Sequence, residues 1–213
     1  METSMAVKLL VIISGYLIGS IPTGVWYSKL IHQTDVRKLG SGNSGGTNVG
    51  RNFGPKAGII VTTIDVLKGW LPMSLAILIL SGSPLAIMAT GIALTLGHAY
   101  PLWANFKGGK IVATSIGVLL GYHFIDGVIV GIGLLVIIYL LSVVSISSIL
   151  AYFLGLILIF AQADHWAYRI GFFLIWCLLI YRHRENLHRL KEGQERELSW
   201  GRHYFYRFFN QVK

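Results

Sequence analysis

The sequence predicts an all-α polytopic membrane protein with about seven transmembrane helices. Of its 213 residues, 54% are hydrophobic and 13% are charged, against roughly 25% charged in soluble domains. Apolar runs of helical length alternate with short polar segments along most of the chain. The formal net charge of +9 indicates membrane topology and attraction to anionic lipid. We expect the lipid bilayer as a partner and no nucleic acid, and the sequence does not give the oligomeric state.

The apolar runs and the breakers between them define seven helical segments. They are residues 6–27, 57–80, 85–97, 111–124 and 127–141, a sixth that follows a serine-rich turn at 142–148 and ends near 160, and 166–181. Pro22 breaks the inner end of the first segment. Several segments are shorter than the roughly 20 residues that a full span prefers, so five spans with re-entrant pieces is the alternative count.

Charge predicts the orientation. Most lysines and arginines lie in residues 28–56, 98–110 and 182–213. Seven crossings place these three segments on one side, which the positive-inside rule makes cytoplasmic. We therefore predict an N-terminus outside, a C-terminus in the cytoplasm, and polar chemistry at the cytoplasmic face.

The chain is predicted to form one membrane-embedded domain, residues 1–198, with a basic aromatic tail at 199–213. Trp200, Tyr204 and Phe208 recur every four residues in the tail, a spacing that suits an amphipathic helix in the membrane interface. Basic and aromatic residues also alternate in nucleic-acid-binding segments, but the membrane surface is favoured here.

A glycine-rich run, residues 40–51, dominates the first polar segment; we call it the first cradle. It combines five glycines with small hydrogen-bonding side chains and an arginine, and it contains no acid. Glycine lets backbone N–H groups approach a ligand, and the Arg51 guanidinium matches phosphate geometry. A phosphate site and an ordinary flexible loop are both compatible with the run. The candidate residues are Ser41, Gly42, Asn43, Thr47, Asn48 and Arg51.

The second polar segment, residues 97–110, contains His98 and ends in a Lys-Gly-Gly-Lys turn that opens a helix; we call it the second cradle. Two ammonium groups beside a helix N-terminus favour an anion. The alternative is that Lys107 and Lys110 are anchors at the membrane surface. The turn is not a P-loop, because Ile111 stands where Ser or Thr would hold magnesium.

Two further groups carry polar chemistry. His183 and Asn186 share a helical face in a basic segment that could equally be a solvated juxtamembrane run. Asp65 and Lys68 lie three apart in the second helix, and a structural ion pair is favoured over direct chemistry.

Several signatures are missing from the sequence. Cys177 is the one cysteine, and there is no acidic cluster for magnesium, so we expect no metal and no cofactor. No histidine is followed at the fifth position by aspartate, the usual signature of soluble acyltransferases. The G-x-S-x-G match at residues 42–46 lacks the strand–turn–helix context of a nucleophile. His123 and His165 lie in predicted turns and need no role.

Together the three polar segments resemble the bacterial membrane acyl-phosphate:glycerol-3-phosphate acyltransferase family, PlsY. Residues 40–51 resemble the motif G-S-G-N-x-G-x-T-N-x-x-R of that family. Residues 97–114 resemble G-H-x-x-P…F-K-G-G-K-x-V-A-T, and residues 183–195 resemble H-R-x-N-x-x-R-L-x-x-G-x-E. One departure is Ile111, where the family usually has glycine.

The resemblance implies transfer of a fatty acyl group from acyl phosphate to glycerol 3-phosphate, which gives lysophosphatidic acid and phosphate in the first step of phospholipid biosynthesis. It also implies a bacterial inner-membrane protein whose active site faces the cytoplasm. Because acyl phosphate is already activated, the enzyme needs only positioning and charge stabilisation. The catalytic candidates are Ser41, Arg51, His183 and Asn186. The substrate-binding candidates are Gly42, Asn43, Thr47, Asn48, His98, Lys107, Gly108, Gly109, Lys110, Ser145 and Ser148.

A transporter or channel for a small phosphorylated anion is the alternative function, because the same cradles could bind cargo. Transport sites, however, lie near the bilayer midplane, whereas these segments lie near one face.

Overall fold

A computed structural model describes residues 3–199 and 201–206, and their regular structure is helical. Ten α-helices follow one another in this part of the chain: α1 (Met5–Gly19), α2 (Thr23–His32), α3 (Gly46–Phe53), α4 (Pro55–Ile79), α5 (Pro84–Ala99), α6 (Val112–Tyr122), α7 (Phe124–Leu141), α8 (Val144–Gln162), α9 (Trp166–Arg182) and α10 (Arg184–Lys191). Two 3₁₀ turns, Val36–Lys38 and Leu102–Ala104, lie in the first two polar segments.

Five helical segments of the described residues are long and apolar enough to cross a membrane: Met5–His32, Pro55–Ile79, Pro84–Ala104, Phe124–Leu141 and Val144–Gln162. The all-helical membrane fold is confirmed, whereas the count of seven spans is not. All seven predicted segments do form helices, but α6 has only 11 residues and α9 has 17. At 1.5 Å per residue, α6 is about 16 Å long, short of the roughly 30 Å hydrocarbon core.

The break between α1 and α2 is fixed by an ion pair in α4. Lys68 Nζ lies 2.7 Å from Asp65 Oδ1, as the spacing predicted, and both side chains are buried. Lys68 also donates to the Ile21 carbonyl at 2.8 Å, and Thr23 Oγ1 donates to Asp65 Oδ1 at 2.9 Å. A buried ion pair is tolerated when further hydrogen bonds satisfy it. Here those bonds hold the chain where Pro22 interrupts the helix.

Glycine brings α6 directly against α4. A Cβ atom on Gly117 would lie 2.2 Å from the Val66 carbonyl oxygen, closer than any real contact. Small residues allow such close helix packing in membranes. The beginning of α6 directly follows the second cradle. The contact places it beside the half of α4 that borders the first cradle.

The two predicted outward turns carry local hydrogen bonds. His123 Nδ1 lies 3.1 Å from Asp126 Oδ1, and the buried Asp126 also accepts from Gln162 Nε2 at 3.3 Å. His165 Nδ1 accepts from the Ala167 N–H at 3.1 Å and caps α9. The structure thus gives His123 and His165 local structural roles. Cys177 is exposed on α9.

After α10 the chain returns across the turn between α7 and α8; we call residues 194–199 and 201–206 the strap. The Leu198 N–H donates to the Ser142 carbonyl at 2.8 Å, the Arg202 N–H donates to the Tyr139 carbonyl at 2.7 Å, and the His203 N–H donates to Ser142 Oγ at 3.0 Å. The predicted interfacial helix of the tail falls largely outside the described residues, which omit Trp200 and 207–213.

Candidate active site

A cavity of about 440 Å³ lies where the polar segments meet. Its polar lining is Ser41, Asn43, Thr47, Asn48, Arg51, Thr62, Asp65, His98, Lys110, Ser145, Ser148, His183, Asn186, Arg189, Glu195 and Arg196. Its apolar lining is Val66, Ile111, Val112, Ala113, Ile116, Leu134, Leu135, Ile138 and Val144. The fold thus brings together most of the candidate residues that the sequence indicated. Four of them, Gly42, Lys107, Gly108 and Gly109, do not line the cavity.

Asn48 organises the first cradle. Its buried side chain donates from Nδ2 to the carbonyls of Val36, Leu39 and Asn43 at 2.8–3.1 Å, and its Oδ1 accepts from the Ser41 N–H at 3.0 Å. These bonds occupy the amide, so Asn48 shapes the loop and presents its neighbours to the cavity.

The N-terminus of α3 faces the cavity through Gly45, Gly46 and Thr47. Gly45, the N-cap, has no side chain with which to cap the first turn, so the N–H groups of Gly46 and Thr47 are open to an anion, whereas the Asn48 N–H donates to the Gly45 carbonyl at 3.0 Å. Gly46 is required by packing, because a Cβ atom there would lie 2.1 Å from Thr62 Oγ1 on α4. Arg51 lies one turn further along α3 and donates to the Arg196 carbonyl at 3.4 Å.

The glycines of the second cradle pack against His98. A Cβ atom would lie 2.1 Å from the His98 carbonyl at Gly108 and 2.1 Å from His98 Nε2 at Gly109. Arg182 donates to the carbonyls of both glycines at 3.1 Å. In the structure, Gly108 and Gly109 therefore hold the loop against α5 instead of facing the cavity.

The two lysines of the second cradle separate. Lys107 is exposed, and its carbonyl accepts from Arg37 Nη1 at 3.2 Å. Lys110 turns into the cavity, where its Nζ donates to Asn186 Oδ1. Burial lowers the pKa of Lys110 to about 8, although the nearby Glu195 carboxylate acts in the opposite direction.

Glu195 links three polar residues of the cavity lining, a role that sequence reasoning missed. Its carboxylate accepts from Asn186 Nδ2 at 2.5 Å, from Ser145 Oγ at 3.0 Å and from Arg189 Nε at 3.0 Å. The only sequence signal was its position as the last residue of the third motif. Ser148, by contrast, donates its hydroxyl proton to the Val144 carbonyl at 2.7 Å.

His183 is a neutral acceptor at the cavity wall. Its Nδ1 lies 2.8 Å from the Leu179 carbonyl oxygen, which can only accept, so Nδ1 carries the proton and Nε2 keeps a lone pair. Burial, with the Lys110 ammonium nearby, lowers the pKa of His183 to about 4. The imidazole is therefore uncharged at neutral pH and able to accept a hydrogen bond.

Ile111 is strained where the second cradle enters α6. It is fully buried, and its φ of 60° lies in the left-handed region that β-branched residues avoid. Such a conformation costs of order 1–3 kcal/mol. The cost agrees with the expectation that glycine is the usual residue here, and burial of the isoleucine side chain offsets part of it.

Asp65 and His98 lie beside each other in the cavity lining. His98 Nδ1 lies 3.0 Å from Thr114 Oγ1 and 3.6 Å from Asp65 Oδ1. The sequence assigned Asp65 to a structural pair with Lys68, and the structure adds that Asp65 lines the cavity beside His98.

These features define an integral membrane protein whose cavity lining combines cationic and hydrogen-bonding groups with apolar side chains, as a site for an anionic amphiphile requires. A family model described as "Glycerol-3-phosphate acyltransferase" matches residues 9–193. The chain therefore belongs to the glycerol-3-phosphate acyltransferase family, as the motifs predicted. It is an acyltransferase, and the transporter alternative is set aside.

Individual relatives and solved structures carry the same description as the family. The chain is 40% identical over 203 residues to a glycerol-3-phosphate acyltransferase of Limosilactobacillus reuteri (strain DSM 20016), covering 95% of this chain and 96% of the relative. It is 40% identical over 208 residues to that of Enterococcus faecalis (strain ATCC 700802 / V583), covering 92% and 94%. The crystal structure of PlsY (YgiH), an integral membrane glycerol 3-phosphate acyltransferase, in its glycerol 3-phosphate form superposes with a TM-score of 0.86 at 36% identity, covering 90% and 96%. Its lysophosphatidic acid form gives 0.83 at 36% identity, covering 90% and 95%.

Proposed function

We propose that this chain transfers a fatty acyl group from acyl phosphate to glycerol 3-phosphate, which yields 1-acyl-glycerol 3-phosphate and inorganic phosphate. The observation that carries the proposal is the mixed lining of the cavity: Arg51 and Lys110 line it together with apolar side chains of α6 and α7. An acyl chain suits the apolar side chains, and phosphate groups suit the cations. The related PlsY has been solved in a glycerol 3-phosphate form and a lysophosphatidic acid form, the acceptor and the product of this reaction.

In this proposal the first cradle binds a substrate phosphate. The N–H groups at the start of α3, the hydroxyls of Ser41 and Thr47, and the guanidinium of Arg51 supply the donors. Asn43 and Asn48 shape the loop, since Asn43 Oδ1 accepts from the Gly45 N–H at 2.8 Å.

Of the two candidate lysines of the second cradle, Lys110 stabilises negative charge near the reacting carbonyl. Its ammonium lies in the cavity, whereas the Lys107 side chain does not. Asn186 holds the Lys110 ammonium in place through its side-chain oxygen.

His183 orients the attacking hydroxyl through Nε2. The hydroxyl oxygen bonds to the acyl carbon, the bond from that carbon to the phosphate oxygen breaks, and the hydroxyl proton ends on the phosphate. With a pKa of about 4, His183 is a weak base at neutral pH, so it positions the hydroxyl more than it removes the proton.

We further propose a bacterial inner-membrane protein in which α6 and α9 also cross, the N-terminus lies outside, and the cavity faces the cytoplasm. Burial of α6 among other helices supports a crossing shorter than a lipid-facing span would need. Residues 1–198 would form the single domain and 199–213 a cytoplasmic tail. Ser83→Cys and Lys191→Cys, each in a Cys177→Ser background, should label from opposite sides of the membrane. Labelling from the same side would overturn this topology.

The activity test uses the full chain purified in detergent. Phosphate release should require both acyl phosphate and glycerol 3-phosphate, and acyl-CoA in place of acyl phosphate should give no product. Turnover with acyl-CoA would reject the proposed donor. Absence of turnover with either donor would reject the proposed reaction.

A further inference from the structure

The charges that line the cavity do not balance. Four cations line it, Arg51, Lys110, Arg189 and Arg196, against two carboxylates. Both carboxylates are already paired, Asp65 with Lys68 at 2.7 Å and Glu195 with Arg189 at 3.0 Å. Among the described residues, Arg51, Lys110 and Arg196 therefore have no ion-pair partner. Unpaired cations around a partly enclosed cavity favour an anionic ligand.

Arg196 reaches this cavity because both of its neighbours are held. Glu195 is fixed by Ser145, Asn186 and Arg189, and its backbone carbonyl accepts from Tyr206 Oη at 3.1 Å. Glu197 Oε2 lies 2.9 Å from His203 Nδ1 within the strap. The position of Arg196 is thus set by the fold of the strap.

The strap itself is fastened to the turn between α7 and α8. Three of its backbone N–H groups donate hydrogen bonds to Tyr139 and Ser142. It also passes so close to Ser142 that a Cβ atom on Gly201 would lie 2.0 Å from Ser142 Oγ. The approach requires glycine at that position.

Arg196 and Arg51 face the same space. Arg51 Nη2 donates to the Arg196 carbonyl at 3.4 Å, and both residues line the cavity. Burial, with Arg196 nearby, lowers the pKa of Arg51. The positive charge of Arg196 disfavours the charge on Arg51, and a phosphate that contacts both side chains removes this repulsion.

We propose that Arg196 is a substrate-binding residue that holds a substrate phosphate together with Arg51. The match to the family model ends at residue 193, so Arg196 lies beyond the matched residues. The inference rests on the proposed function for the identity of the ligand. Acyl phosphate, a mixed anhydride, and glycerol 3-phosphate, a phosphate monoester, both present a terminal phosphoryl group, and the kinetic test distinguishes them.

The test compares Arg196→Gln, Arg196→Lys and the wild type, with KM measured for each substrate in turn. Arg196→Gln should raise KM for one substrate by about tenfold or more, the scale of one lost charge-assisted bond. Arg196→Lys should recover part of that loss. The substrate whose KM rises is the one that Arg196 holds. If both KM values of Arg196→Gln stay within twofold of the wild type, the proposal is overturned.

Arg184→Gln is the matched control, because it removes the same charge at an exposed site where the guanidinium stacks over Tyr181 at 4.6 Å and does not line the cavity. Its KM values should equal those of the wild type.

Gly201→Ala tests the strap. It should displace the strap and raise the KM that Arg196→Gln raises, with no further rise in the Gly201→Ala/Arg196→Gln double variant. A wild-type KM in Gly201→Ala would contradict placement by the strap.

A measurement without turnover separates the two proposals. Inorganic phosphate should protect the wild type and Arg184→Gln from thermal unfolding, and it should protect Arg196→Gln less. If the wild type shows this protection but no acyl transfer, the proposed reaction fails and the phosphate site stands. If the wild type turns over and Arg196→Gln is protected equally, only the Arg196 assignment fails.

Discussion

The side-chain amide of Asn186 donates to the Glu195 carboxylate across 2.5 Å and joins α10 to the strap. The oxygen of the same amide accepts from Lys110. Both ends of the amide are therefore engaged by the protein. The sequence predicts that Asn186 acts on the substrate, and this stays a prediction; from these two contacts we propose that it acts through Lys110.

Replacing Glu195 should loosen this arrangement. Glu195→Gln keeps the shape but loses the charge that Arg189 and Asn186 bind, so we expect a loss of about 2 kcal/mol, or a fall of about 5 °C in Tm. Thermal unfolding in detergent measures it. Glu192→Gln is the control, because its contact with His188 at 3.2 Å is a surface pair worth little. Equal Tm values for the two variants would show that the contacts of the Glu195 carboxylate do not stabilise the protein.

Arg51→Lys should reduce kcat/KM by at least about tenfold, or about 1.4 kcal/mol. Lysine keeps the charge but loses the planar fork that binds two phosphate oxygens. Steady-state phosphate release measures the change, with Arg184→Lys as control. Turnover near the wild-type value would remove Arg51 from the site.

The lowered pKa of Lys110 predicts a basic limb in the pH profile. Lys110 loses its proton as the pH rises through about 8, so kcat/KM should fall above that value by up to tenfold per pH unit. The substrate phosphate, whose second pKa is about 6, does not titrate in this range.

Lys110→Arg should move the limb to higher pH, since arginine stays protonated. Lys107→Ala should keep both the limb and the wild-type KM, because the Lys107 side chain is exposed and outside the cavity. A limb that persists unchanged in Lys110→Arg would assign it to another group.

Gly109→Ala should destabilise the second cradle by about 1–3 kcal/mol, because the new methyl group would meet His98 Nε2 at 2.1 Å. Thermal unfolding measures the loss. Gly131→Ala on α7 is the control, since nothing lies within 4 Å of a Cβ atom there. If Gly109→Ala unfolds at the wild-type temperature, Gly109 does not serve packing, and direct substrate binding becomes the better explanation.

The sequence by itself determined the helical segments, the Asp65–Lys68 pair and the family. These features are local: apolar runs define helices, i,i+3 spacing places two side chains on one face, and motifs are contiguous. Each could therefore be predicted without knowing which helices are neighbours.

Only the tertiary structure decided which predicted residues meet. Lys110 and Asn186 are 76 residues apart, and their contact depends on how α10 packs against α8 and α9 beside the second cradle. From the sequence, Lys107 and Lys110 are equivalent candidates. In the structure only Lys110 lines the cavity, and the left-handed residue Ile111 directly follows it. Glu195 and Arg196 reach the cavity because the strap is fastened at Ser142, a contact between distant parts of the chain that no local pattern encodes.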